Sequence, residues 1–91
     1  MIDKQQHWLF TVAYAPETTD ADRLMAQKIR AALIAFHSDE WRMHGKRPQL
    51  PKLSREWLRR KDCEQAKRIY ELASEEQLFP VSGEYSVKGA A

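Results

Sequence analysis

Cysteine is almost missing from this sequence: Cys63 stands alone, so one subunit has neither an internal disulfide nor a thiolate cage for zinc. That usage fits a reducing cytoplasm, with Cys63 expected to serve as a small buried apolar residue. Glycine is scarce as well. Its three copies form no phosphate-cradling loop, and none of the serines sits in a Gly-x-Ser-x-Gly elbow. No window approaches the ~18 apolar residues of a membrane span, and "MIDKQQHWLF" lacks the basic stretch and apolar run of a secretory leader. The expectation is a cytoplasmic protein without membrane association. With no catalytic signature and no cofactor motif, a non-enzymatic role is favoured over an enzyme.

What the sequence does contain is bulk and charge. Three each of Trp, Tyr and Phe supply material for a core, and a chain of 91 residues has room for one domain, spanning 1–91. The net charge is only +2, yet its distribution is uneven. Residues 46–61, "KRPQLPKLSREWLRRK", hold seven Lys or Arg against one Glu, a local balance of +6 that leaves −4 for the rest. Such asymmetry bears on partners and steering rather than on fold.

The patterning predicts an α+β fold. In residues 7–15, "HWLFTVAYA", Trp8, Phe10, Val12 and Tyr14 alternate with Leu9, Thr11 and Ala13, which predicts a strand ended by Pro16. Its aromatic stripe reads as core under a helix more readily than as a platform for stacking bases. Thr19 and Asp20 are candidate caps for a long helix over about 20–44, with Met25, Ile29, Ala32, Leu33 and Phe36 as the buried stripe and Gly45 as the stop. Pro48 and Pro51 keep the next stretch extended. A second helix is predicted over about 54–76, capped by Ser54, with Leu53 stapled on Leu58 and Leu58, Ala66, Ile69, Leu72 and Ala73 facing inward. Residues 78–88 regain strand character and predict a C-terminal strand or hairpin. Two helices on a small antiparallel sheet follow. A sheet that small is marginal alone, which predicts a homodimer.

Two constellations carry possible chemistry. In "FHSDEWRMHGKRP", His37, Glu40 and His44 fall within about 60° on one helix, but residues seven apart are separated by about 10.5 Å along the axis. The two histidines are too distant to ligate one ion, and the stripe reads as a helix end, with His44 against the C-terminal dipole and Asp39 and Glu40 pairing with Arg42. No metal site is predicted, with His37, Glu40 and His44 as weak candidates only. His7 has no evident partner.

The stronger constellation is the basic segment. Lys46, Arg47, Lys52, Arg55, Arg59, Arg60 and Lys61 are the type of cations that read phosphate backbones, and Trp57 among them could stack on a base. Further along, Glu56, Glu64 and Lys67 precede Arg60, Arg68 and Glu71 by four residues, the mark of a solvated face with weak ion pairs. The resulting expectation is a binding or regulatory domain that contacts a polyanion, nucleic acid first, through residues 46–61. An adaptor docking an acidic protein is the alternative, and a globular protein with a weak His/Glu site the second.

Overall fold

The computed structural model describes residues 4–80, and among them every regular element is a helix. In chain order these are α1 (Lys4–Tyr14), α2 (Asp20–Ser38), the single turn α3 (Trp41–His44), α4 (Ser54–Lys61) and α5 (Glu64–Glu75). The α+β expectation is therefore overturned: no strand occurs among the described residues, and the segment expected as the first strand is α1.

The reason lies in the pattern itself. Odd and even positions of residues 7–15 are both apolar, so alternation defined no solvent face, whereas Leu9 and Ala13, four apart, are fully buried with Trp8 and Val12 packed beside them. That spacing is a helical stripe. α1 folds back on α2 through a short turn in which the Thr18 amide donates to the Ala15 carbonyl at 3.1 Å. Arg23 then donates to the carbonyls of Ala15 (3.4 Å) and Thr18 (3.3 Å), placing a cation where the helix leaves acceptors unpaired.

α2 begins as its sequence predicts. Thr19 is the N-cap, its hydroxyl accepting from the Asp22 amide at 3.2 Å, with Asp20 and Asp22 in the first turn. Ala26, Ile29, Ala32 and Leu33 are buried, with Met25 and Phe36 packed at the edge of the core. The helix does not reach residue 44. Asp39 adopts a left-handed conformation (φ 65°) and the Ser38 hydroxyl, which donates to Ala35 O, lies where it can accept from the Glu40 amide, so local side-chain bonds end α2 before α3 restarts the chain. Gly45 (φ 75°) stops α3, as expected, its amide donating to Trp41 O at 2.9 Å.

The second predicted helix is likewise two. Asp62 (φ 49°) turns the chain between α4 and α5, and half-buried Cys63 is the N-cap of α5, its carbonyl accepting from the Lys67 amide. Ser54 is not the cap. That place belongs to Leu53, itself left-handed (φ 70°) and 68 % exposed, so the expected staple on Leu58 does not form. α5 ends near the expected position through a Schellman pattern. Gln77 is left-handed (φ 58°), and the Leu78 and Gln77 amides donate to Ala73 O (2.8 Å) and Ser74 O (3.4 Å).

The core gathers Leu9 and Ala13 from α1, Ile29 and Leu33 from α2, Trp57 and Leu58 from α4, and Ala66, Ile69 and Ala73 from α5. Leu50 and Leu78 join it and tie two loops together, the Leu50 amide donating to Leu78 O at 2.7 Å. Of the expected C-terminal strand, residues 78–80 are irregular, and 81–88 lie outside the described residues. The marginal sheet that was one ground for expecting a homodimer does not occur among the described residues.

Candidate functional site

The α4 helix fixes the fate of most of the basic segment. Ser54, Trp57 and Leu58 form its buried arc, so the 100° step per residue puts Arg55 and Arg59 on one flank and Arg60, with Glu56, on the other. The expected basic face is thus divided. Arg55 lies over the Phe79 ring at 4.3 Å and 6.0 Å from the Tyr70 ring centroid. Arg59 lines a groove of about 530 Å³ beside Asp62, Lys67, Tyr70 and Glu71.

Trp57 and Lys61 turn inward. Trp57 is 3 % exposed, packs on Trp8 at 5.8 Å, and donates its indole N–H to Asp22 Oδ1 at 2.8 Å. Lys61 Nζ reaches Asp22 Oδ2 at 3.2 Å and sits 4.9 Å from the Trp57 ring centroid. The Trp57 hydrogen bond, with smaller help from the Lys61 ammonium and Thr19, holds the Asp22 carboxyl below its ordinary pKa against the opposing effect of burial. With its ring enclosed and its N–H engaged, Trp57 offers no surface on which a base could stack.

Arg47 is also committed. It pairs with Glu76 at 3.0 Å and lies over the Trp41 and Phe36 rings at 5.1 and 5.7 Å, clamping the loop after α3 to the end of α5. Phe36 and Trp41 stack at 5.8 Å, and the Trp41 indole donates to Phe36 O at 2.9 Å. Lys46, Lys52, Arg59 and Arg60 are exposed and have no ion-pair or hydrogen-bond partner among the described residues.

The histidine stripe is dispersed. The break at Asp39 leaves His37 on α2 and His44 on α3, with Glu40 between them as the cap of α3. His37 meets the Phe36 ring edge-on at 5.5 Å and lines a cleft with Arg68, Glu71 and Glu75. Among the described residues no three His, Cys, Asp or Glu side chains come together in a metal-holding group. His44 occupies the last turn before Gly45, and Asp39 pairs with Arg42 at 3.1 Å. Glu64 and Arg68 form the expected pair at 3.0 Å, whereas Lys67 turns instead to Asp62 at 3.9 Å.

Sequence reasoning missed two features. Asp22 is one, hidden as an ordinary first-turn acid. The other is a groove of about 840 Å³ between the outer side of α2 and the loop through Pro48 and Pro51. The signal for it was present in Ala21, Leu24, Lys28 and Ala31, which recur at three- and four-residue spacing away from the buried stripe. No described helix is long and apolar enough to cross a membrane. No protein-family model matches this chain, and neither a curated protein nor a solved structure was found to be similar to it.

Proposed function

We propose that this chain is a small non-enzymatic helical domain that binds a polyanion, with nucleic-acid phosphate as the counter-charge. One contrast supports the reading. Arg23, Arg42, Arg47, Lys61, Lys67 and Arg68 each have a carboxylate within 4 Å, whereas eight cations have none among the described residues: Lys46, Lys52, Arg55, Arg59 and Arg60 within residues 46–61, and Lys4, Lys28 and Arg30 outside them. Unpaired cations are thus concentrated in the segment whose local charge is +6. Exposed cations of this kind bind by releasing counterions from the phosphate backbone, and such contacts carry no base information. The domain should therefore bind with little sequence preference and lose affinity steeply with salt.

Because Arg55 and Arg59 lie on one flank of α4 and Arg60 on the other, a single duplex meets two or three of these cations at once. At about −0.9 per neutralised phosphate, the logarithm of affinity should fall with the logarithm of salt at a slope of about −2 to −3. Titrating labelled duplex and single strand between about 50 and 200 mM salt measures it. Replacing Arg59 and Arg60 with Ala should flatten the slope by about one or two while leaving the fold intact. Undetectable binding to both strand forms at about 50 mM salt removes the proposal.

A further inference from the structure

The groove between α2 and the Pro48–Pro51 loop differs in charge from two other clefts of the described surface. The groove beside Arg59 and Lys67 contains Asp62 and Glu71, and the cleft at His37 and Arg68 contains Glu71 and Glu75, so both neutralise their own cations. The α2 groove contains Lys28 and Lys52 and no carboxylate. Neither lysine has an ion-pair partner among the described residues. Its floor is apolar. Leu24, 52 % exposed, is flanked along α2 by Ala21 and Ala31, and the facing wall is formed by Pro48 and Pro51.

We infer that this groove docks an acidic amphipathic helix of a partner protein. The chemistry of the walls selects that shape. Pro48 and Pro51 have no N–H and so interrupt the ladder that adding a strand to the loop would need, and the α2 backbone is bonded within its own helix. A helical partner brings its backbone bonds already satisfied and needs only an apolar stripe, which alanines at 21 and 31 admit at close range. From Ala21 to Ala31 the α2 wall runs about 15 Å, enough for two to three turns of the incoming helix. Lys28 and Lys52 then meet carboxylates flanking that stripe and disfavour a basic partner. This surface is separate from the Arg55, Arg59 and Arg60 cations of the proposed polyanion contact, although Lys52 borders both.

The test uses the full chain and two labelled synthetic peptides, each with leucines at i, i+3, i+4 and i+7. One carries glutamates beside the stripe and the other lysines. The glutamate peptide should bind with micromolar affinity and the lysine peptide at least tenfold more weakly. Leu24→Asp should lower affinity for the glutamate peptide more than tenfold. The pair Lys28→Glu and Lys52→Glu should lower it about tenfold and raise affinity for the lysine peptide. Arg59→Ala with Arg60→Ala should leave peptide binding unchanged, and Leu24→Asp should leave nucleic-acid binding unchanged, so the two readings fail separately. Equal binding of both peptides, no binding of the glutamate peptide, or insensitivity to Leu24→Asp overturns the inference. So does sedimentation of the unliganded chain as a dimer that Leu24→Asp dissociates, because a second copy would then cover this face.

Discussion

The indole N–H of Trp57 and the carboxylate of Asp22 are joined at 2.8 Å across 35 positions of sequence, locking the first turn of α2 to α4. Lys61 completes the contact from the next turn of α4. The arrangement turns a residue from the middle of the basic segment into a core anchor and takes one of that segment's cations with it.

Asp22→Asn should therefore destabilise the domain by about 1 kcal/mol, a charge-assisted hydrogen bond discounted for the partial exposure of the carboxylate. The pH dependence follows from the lowered pKa of Asp22. A carboxyl whose folded pKa is depressed contributes stability that is present above its unfolded value of about 3.9 and lost as pH falls through the lower folded value. Urea unfolding of both proteins at pH 7 and below pH 3 should show the gap between them closing in acid. A gap independent of pH would mean the charge of Asp22 is not what matters.

Trp57→Ala should cost about 3–5 kcal/mol and affect binding only through loss of the fold. A folded Trp57→Ala protein with selectively weakened single-strand binding would contradict the buried placement. Thermal unfolding by circular dichroism, beside the binding curve, separates the two outcomes. The same spectra should be helical, without a strand signature from residues 4–14.

Leu53 is held at φ 70° while its side chain is mostly in solvent. Left-handed backbone costs a non-glycine residue about 1–2 kcal/mol, and glycine returns about 0.5–1 of that as extra unfolded-state entropy. Leu53→Gly should thus raise stability by about 0.5–1 kcal/mol, read as a higher urea midpoint at unchanged m-value. A lower midpoint would show that Leu53 gains more from packing than its exposure implies.

Ser54 is fully buried, and its Oγ has no hydrogen-bond partner among the described residues. Removing an unsatisfied buried hydroxyl should be neutral or favourable, so Ser54→Ala is expected to stabilise by about 1 kcal/mol. Chemical denaturation decides it. A loss of stability would reveal a partner for the hydroxyl, such as an ordered water.

The features legible in the sequence are those set by short-range physics. The Thr19 cap, the buried stripe of α2, the Gly45 stop, the inward positions of α5 and its end near Glu76 all depend on residues within a turn or two of one another. The breaks at Asp39 and Asp62 were harder to see, because a left-handed aspartate is an option the local sequence allows without requiring. At the candidate site, the concentration of cations in 46–61 was plain, but their availability was not. Engagement of Arg47 by Glu76 and of Lys61 by Asp22 joins residues about 30 to 40 apart.

Tertiary structure alone decided the remaining points. Residues 7–15 carry apolar side chains at every phase, so a strand and a helix would each bury something, and the choice fell to the surfaces that α2 and α5 present to Leu9 and Ala13. Trp57 could have been a surface ring or a core ring by its own neighbours. Asp22 decided it, because a buried indole N–H needs an acceptor and the nearest one came from another helix.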